Sequence, residues 1–99
     1  MGIEVLEKEK ALQILIEVYK IELNNEDKIN RAKNKISIRV GGSPSTFIKR
    51  FNELEKAGLI RVEQQKEFPF KEFVFLTSKG KKVAEHLIEI EKIMEEREE

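Results

Sequence analysis

A tight turn in the middle of the chain constrains the fold more than any other feature. Gly41-Gly42 ends one segment with helical spacing of apolar residues, and Ser43-Pro44 begins another. Serine caps helix N-termini, and proline suits the first helical position because its φ is preset and its missing N–H is not needed there. A helix is therefore predicted over residues 44–57, with Gly58 in the left-handed conformation that often ends helices.

Two further helices are predicted on the N-terminal side of this turn. Residues 3–23 carry apolar side chains at steps of three and four, which is typical of an amphipathic helix. A second helix is predicted from about Glu26-Asp27, whose negative charges favour a helix N-terminus, to Val40. Residues 36–40 also alternate as a strand does, so both interpretations remain open for them.

The segment after residue 58 has the pattern of a β-hairpin. Residues 59–62 begin a strand, residues 68–71 are typical of a turn, and residues 73–76 supply the returning strand. Alternation places Phe73 and Phe75 on one face, which we expect to pack on the core. Phe68 and Phe70, in the turn, fit either contact with the core or a role in binding.

A last helix is predicted over residues 79–97, capped by Thr77 or Ser78. Four of its apolar residues fall at 4-3-4 spacing and form a short heptad seam: Val83, Leu87, Ile90 and Met94. We expect the helices over 3–23 and 79–97 to meet across the two-fold axis of a homodimer. Three residues of the first helix complete the predicted interface: Ile14, Val18 and Ile21. The alternative is that the two helices pack on each other within one monomer.

The order of elements predicts a single α+β domain, mostly helical, over residues 1–99. Two helices joined by a short glycine-containing turn form a helix-turn-helix, whose second helix can enter the major groove of DNA. With the hairpin over 59–76, residues 24–82 make a winged helix-turn-helix, extended by helices at both ends of the chain.

Charge is distributed unevenly, although the formal net charge of the chain is zero. Residues 28–82 carry fourteen basic and five acidic residues, whereas the segments on either side are net acidic. A segregated cationic segment attracts a polyanion, which favours double-stranded DNA as the partner. The simpler alternative is a set of charged helix surfaces that happened to sort in this way.

The predicted helix over 44–57 is the candidate DNA-contacting element. If Phe47, Phe51 and Leu54 face the core, its opposite side faces solvent, and the free N–H groups at its start favour phosphate. The candidate DNA-binding residues are Arg39, Ser43, Ser45, Thr46, Lys49 and Arg50, together with Lys66 and Lys71 on the hairpin. Ile48 fits either partial burial or an apolar contact with a thymine methyl group.

The sequence offers little to an enzyme, a metal site or a membrane protein. His86 is the only histidine and cysteine is absent, so neither a zinc site nor a disulfide is expected. Gly41-Gly42-Ser43 lacks the ending of a phosphate-binding P-loop. No apolar run approaches the roughly 18 residues that span a bilayer, and no secretory leader is evident. We expect a cytoplasmic protein that is not an enzyme, with no cofactor; the sequence does not indicate whether a small-molecule effector acts on it.

Three motifs resemble those of winged-helix transcriptional regulators. They are Ser43-Pro-Ser-Thr46, Leu54-Glu-Lys-Ala-Gly-Leu-Ile60 and Leu76-Thr-Ser-Lys-Gly80. Their order and spacing over residues 29–82 are similar to those of the MarR- and PadR-like group, especially small archaeal proteins with a dimerising C-terminal helix. The chain departs from that group in a longer segment before Gly41 and in a hairpin tip without the Asp/Arg pair common in MarR proteins.

The resemblance implies groove contacts from Ser45, Thr46, Lys49 and Arg50, and contacts of the hairpin with the DNA backbone. The sequence thus predicts a dimeric regulator of transcription with helix 44–57 in the major groove. The alternative function is a winged-helix module that docks other proteins without binding DNA directly.

Overall fold

The computed structural model describes residues 3–96 as four α-helices, two short 3-10 helices and one β-hairpin. The helices are α1 (Ala11–Leu23), α2 (Lys33–Val40), α3 (Pro44–Lys56) and α4 (Ser78–Glu95). The 3-10 helices, Ile3–Glu7 and Lys28–Arg31, precede α1 and α2. The strands β1 (Ile60–Gln64) and β2 (Glu72–Leu76) pair antiparallel, with Ile60 opposite Leu76. The α+β, mostly helical architecture predicted from the sequence is therefore confirmed.

The first two helices are shorter than the sequence predicted. The chain leaves the helical conformation at Lys10, whose φ is 72°, so residues 3–23 form a 3-10 turn and then α1. Ala32 is extended and forms an isolated bridge with Phe73 of β2, so α2 begins only after it. Residues 36–40, which were compatible with a strand, are helical. The predicted end of the last helix at residue 97 lies outside the described residues.

The core is built around α1, which contacts α2, β2 and α4 within the one chain. Ile14, Val18 and Ile21 have no exposed surface, because side chains of the same chain enclose them. The prediction that these three residues form the dimer interface is wrong, since a fully enclosed side chain offers nothing to a second copy. For α1, the alternative of contact with the last helix inside the monomer is correct.

The two faces of the hairpin are used differently. Val74 and Leu76 join the core, whereas Phe73 and Phe75 alternate onto the opposite face. There the Nζ of Lys28 lies 4.9 Å from the centre of the Phe73 ring. Arg31 and Arg61 lie over Phe75, at 4.4 Å and 4.7 Å. Phe73 is nevertheless buried, with 6% of its surface exposed, so the prediction of inward packing is confirmed for it. Phe75 is only half-buried beneath the two guanidinium groups, so the prediction that it packs on the core is wrong.

Candidate nucleic-acid interface

The N-terminus of α3 forms an exposed cluster of hydroxyl groups. Gly41 and Gly42 both have positive φ, at 80° and 129°, which lets the chain turn sharply between α2 and α3. The Ser43 hydroxyl accepts the Thr46 N–H at 3.3 Å, which is the predicted cap. It also lies 3.2 Å from the hydroxyl of Ser45 and 3.0 Å from that of Thr46. The first turn contains no acidic residue, so nothing there repels an anion.

The outer face of α3 carries polar side chains opposite its buried residues. Phe47, Phe51 and Leu54 are buried as predicted, and Lys49 is exposed. The same exposed face includes Asn52 and Lys56, which the sequence analysis missed. Their signal was present, since Ser45, Lys49, Asn52 and Lys56 follow 4-3-4 spacing on the side away from the apolar stripe. Ile48 is 65% exposed, so the interpretation as a partly buried residue is wrong.

Arg50 is not available to DNA in the way that the sequence predicted. Its Nε donates to the carbonyl of Glu9 at 2.8 Å, and its guanidinium group pairs with Glu53. Lys8 lies 3.6 Å from the same Glu53 carboxylate, and only 14% of the Arg50 side chain is exposed. Arg50 therefore holds the turn before α1 against the flank of α3, which corrects its assignment as a groove-contacting residue.

Arg39 also has a structural role. Its guanidinium group pairs with Glu17 of α1 at 3.1 Å and with Glu26 in the segment before α2. Hydrogen bonding from Arg39 holds the pKa of Glu26 below its usual value, and hydrogen bonding to Glu26 raises the pKa of Arg39. Because these partners lie on α1 and its following loop, Arg39 joins α2 to α1 and does not belong to the candidate surface.

The hairpin presents two further lysines and two exposed phenylalanines near its tip. The N–H of Gln65 donates to the carbonyl of Lys71 at 2.7 Å, which closes the hairpin end. Lys66 is exposed and Lys71 half-buried. Phe68 and Phe70 are 84% and 59% exposed, so neither packs on the core.

A groove of about 750 Å³ lies between α3 and the tip end of β2. Ile38 of α2, Ile48 and Asn52 of α3, and Glu72 of β2 all line it. Lys33 spans the groove, with its Nζ 3.2 Å from the Glu72 carboxylate and 5.5 Å from the centre of the Phe51 ring. The exposed residues of α3 and the start of β2 therefore lie beside each other.

The arginines and the lysines differ in how often they pair with a carboxylate. Each arginine that the structure describes pairs with a glutamate: Arg31 with Glu22, Arg39 with Glu17 and Glu26, Arg50 with Glu53, and Arg61 with Glu63. Within residues 3–96, eight lysines of the central segment have no ion pair: Lys28, Lys35, Lys49, Lys56, Lys66, Lys71, Lys79 and Lys82. Four of these lie on the outer face of α3 or near the hairpin tip.

The predicted seam on α4 is partly uncovered. Val83 and Leu87 pack against the core and are half-buried, whereas Ile90 and Met94 are 54% and 78% exposed. Ile3, in the first 3-10 helix, is 68% exposed and lines an apolar cavity of about 460 Å³ together with Val83. An apolar strip thus runs along one flank of α4, which we call the α4 strip: Ile3, Val83, Leu87, Ile90 and Met94.

The described part of the chain has neither a membrane-spanning helix nor a cluster of metal-binding side chains. None of its helices combines the length and the apolar character needed to cross a membrane. Residues 3–96 also bring together no group of three or more His, Cys, Asp or Glu side chains suited to a metal ion.

No protein-family model and no curated protein matches this chain. Several solved structures, however, have a similar fold. AF1382 from Archaeoglobus fulgidus is 29% identical over 98% of this chain and all of its own, with a TM-score of 0.78. A protein from Porphyromonas gingivalis W83 described as a MarR-family transcriptional regulator is 25% identical, over 96% of this chain and 87% of its own, with a TM-score of 0.74. The fold is a winged helix of the MarR type.

MepR from Staphylococcus aureus, a transcription regulator of a multidrug efflux pump, has the same fold at 21% identity. Its TM-score is 0.68, over 88% of this chain and 59% of its own length. The resemblance drawn from the three sequence motifs is therefore confirmed, and the hairpin over 59–76 is the wing of the winged helix.

The motif Leu76-Thr-Ser-Lys-Gly80 has a structural basis in this winged helix. The Thr77 hydroxyl accepts the Gly80 N–H at 2.9 Å and donates to the Gly58 carbonyl at 2.6 Å. Lys79 donates to the carbonyl of Ala57 at 2.9 Å. A Cβ on Gly80 would lie 1.8 Å from the carbonyl oxygen of Leu59. This motif fixes the start of α4 to the end of α3 and is remote from the exposed N-terminal half of α3.

Proposed function

We propose that the chain is a transcriptional regulator that binds double-stranded DNA as a homodimer, with α3 in the major groove and the wing along the backbone. The observation that carries this proposal is the outer face of α3, where Ser45, Lys49, Asn52 and Lys56 are exposed and the lysines have no partner among the described residues. The winged-helix fold supports it, because in such folds this helix is the one that reads DNA.

The side chains of α3 suit different parts of a duplex. The hydroxyl cluster and the Ser45 N–H, which the Ser43 cap does not use, are donors for a phosphate. Lys49 and Lys56 are flexible point charges, which suit contacts with phosphates. The Asn52 amide can donate to and accept from an adenine edge, so Asn52 is the residue of this face best suited to sequence preference.

The wing adds a second contact with the backbone. Lys66 and Lys71 flank the tip and lack ion pairs within residues 3–96, so each is free to neutralise a phosphate. The bases are then read by α3, and the wing sets the orientation of the protein on the duplex.

The α4 strip is the proposed dimer interface, in place of the residues of α1. Ile90 and Met94 leave apolar surface that a second copy would bury, and a two-fold dimer would present two α3 helices about 34–36 Å apart. Sedimentation at micromolar concentration tests this proposal. We expect a dimer of the 11.6 kDa chain that Ile90→Glu converts to monomer, and a wild-type monomer would overturn it.

Binding to DNA is tested by selecting duplexes from random sequence with the full chain and measuring affinity by fluorescence anisotropy as salt increases. Lys49→Ala is expected to weaken binding and to lower the salt slope by about 0.9 for one lost phosphate contact. Lys20→Ala, on the exposed side of α1, removes the same charge and is expected to bind as the wild type does.

The alternative, a module that docks proteins, predicts a different result. No duplex would be enriched, and any residual binding would be equal for Lys49→Ala and Lys20→Ala. That outcome would overturn the assignment of α3 as the DNA-reading helix.

A further inference from the structure

The tip of the wing carries two aromatic side chains that the fold does not use. Phe68 and Phe70 stack edge to face, with ring centres 6.0 Å apart and planes at 89°. They are 84% and 59% exposed, and neither belongs to the core cluster. Apolar side chains of this size are normally buried, so two that meet each other in solvent mark a candidate binding surface.

The backbone conformation of Phe70 is a second sign that its exposed side chain has a role in binding. Its φ is 38°, in the left-handed region where glycine or asparagine is the low-cost residue. Its N–H donates to the Glu67 carbonyl at 2.8 Å, which a glycine would do equally well. Phe70 is therefore a bulky aromatic residue in a backbone conformation that disfavours it. Because its side chain is exposed, burial does not offset this cost in free energy.

The charge around Phe68 and Phe70 is suited to binding a polyanion. Lys66 and Lys71 border it, while the nearby carboxylates of Glu63 and Glu72 are already paired with Arg61 and Lys33. Glu67 is the one acidic residue within the tip, so the tip remains net cationic. Glu72, at the tip end of β2, lines the groove beside α3, which places the wing next to the DNA-reading helix.

We propose that Phe68 and Phe70 form an apolar wedge that enters the minor groove of the bound duplex, unstacks a base step and bends the DNA. Phenylalanines inserted in this way are a recognised means of kinking DNA, and flanking cations hold the adjacent phosphates. This inference rests on the proposed function, since it requires that the winged helix bind a duplex. It also accounts for a wing tip that lacks the Asp/Arg pair common in MarR proteins.

The test uses the full chain and the duplex selected from random sequence. 2-Aminopurine is placed in turn at positions flanking the bound site, and dyes at the two ends report bending by energy transfer. With the wild type we expect a rise in 2-aminopurine fluorescence at one step and a shorter end-to-end distance. Phe68→Ala/Phe70→Ala is expected to abolish both signals and to weaken binding roughly tenfold.

Three control variants separate the wedge from other effects. Phe68→Leu/Phe70→Leu keeps an apolar wedge and should retain the bend. Leu23→Ala removes an exposed apolar side chain elsewhere and should change nothing. Lys66→Ala/Lys71→Ala should lower the salt slope by about 2, whereas the phenylalanine variants should leave that slope unchanged.

The outcomes distinguish the two proposals. If the wild type binds no duplex, both fail. If it binds but shows no unstacking or bend, or if the double alanine variant behaves as the wild type does, only the wedge is overturned. A change in the sedimentation of the DNA-free protein on Phe68→Ala/Phe70→Ala would mean that the tip contacts a second copy, and it would also overturn the wedge.

Discussion

The two ends of α3 differ in how the rest of the molecule holds them. At the C-terminal end, Thr77 and Lys79 donate to the carbonyls of Gly58 and Ala57, and Gly80 lies against Leu59. At the N-terminal end, the hydrogen bonds of Ser43 go to Ser45 and Thr46 within the same turn, and the hydroxyls remain exposed.

The C-terminal end of α3 thus supports the fold, whereas its N-terminal end belongs to the candidate binding surface. A helix fixed at one end presents its other end in a defined orientation, which is what a binding surface needs from its support. Substitutions that remove the contacts at the fixed end should therefore lower stability, and substitutions of the exposed polar side chains at the open end should lower affinity alone.

Gly80→Ala should have the largest effect. Its new Cβ would lie 1.8 Å from the backbone carbonyl of Leu59, and neither α4 nor the end of α3 can move without disturbing the core. We expect the free energy of unfolding to fall by about 3 kcal/mol or more. Urea denaturation measures this change. Ser78→Ala, two residues earlier and exposed, is the control, and equal stability of the two variants would contradict the prediction.

Thr77→Val should have the next largest effect, because it keeps the shape of the side chain and removes the hydroxyl. The Gly80 N–H then loses its cap and the Gly58 carbonyl loses a donor. The expected cost is about 1–2 kcal/mol in the same denaturation experiment. Thr77→Ser keeps both hydrogen bonds and should recover most of the loss; a Ser variant as unstable as the Val variant would show that the hydroxyl is not responsible.

Arg50→Ala and Lys49→Ala compare a structural residue with an adjacent residue of the candidate binding surface. Arg50 is bonded to Glu9 and Glu53, so its loss should cost about 1 kcal/mol of stability and leave the selected base preference unchanged. Lys49 is exposed without an ion pair among the described residues, so its loss should leave stability unchanged and weaken DNA binding. Unfolding and anisotropy measured on both variants check this. Reversed effects would mean that Arg50 leaves its partners to reach DNA.

The sequence predicted those features whose signals are local. The helix over 44–57, its Ser43 cap, the glycine turn and the hairpin each depend on residues within a few positions of one another, and the structure has all of them. The outer face of α3 was predicted for the same reason, apart from Asn52 and Lys56. Helical spacing alone places those two residues beside Lys49.

The features that the sequence did not reveal depend on distant partners. Arg50 meets the carbonyl of Glu9, which is 41 residues away, and no local pattern indicates such a contact. The cationic surplus of the central segment was visible, but the carboxylates that neutralise Arg31 and Arg39 come mainly from α1 and the segment after it. An apolar stripe such as that of α1 does not tell whether its partner is α4 of the same chain or of a second copy.

The smallest expected effect concerns Arg39, which joins α2, the neighbour of the open end, to α1. Hydrogen bonding from Arg39 lowers the pKa of Glu26 from its usual value of 4.5, so the ion pair stabilises the fold fully above that value. The contribution is lost as the pH falls through the lowered pKa, because the carboxylate is then protonated. Arg39→Met should therefore be slightly less stable than the wild type at neutral pH, and the difference should shrink as the pH falls below 4.5. Thermal unfolding of both proteins across this range measures it. A difference that stays constant with pH would mean that the aliphatic part of Arg39, rather than its charge, holds α2 in place.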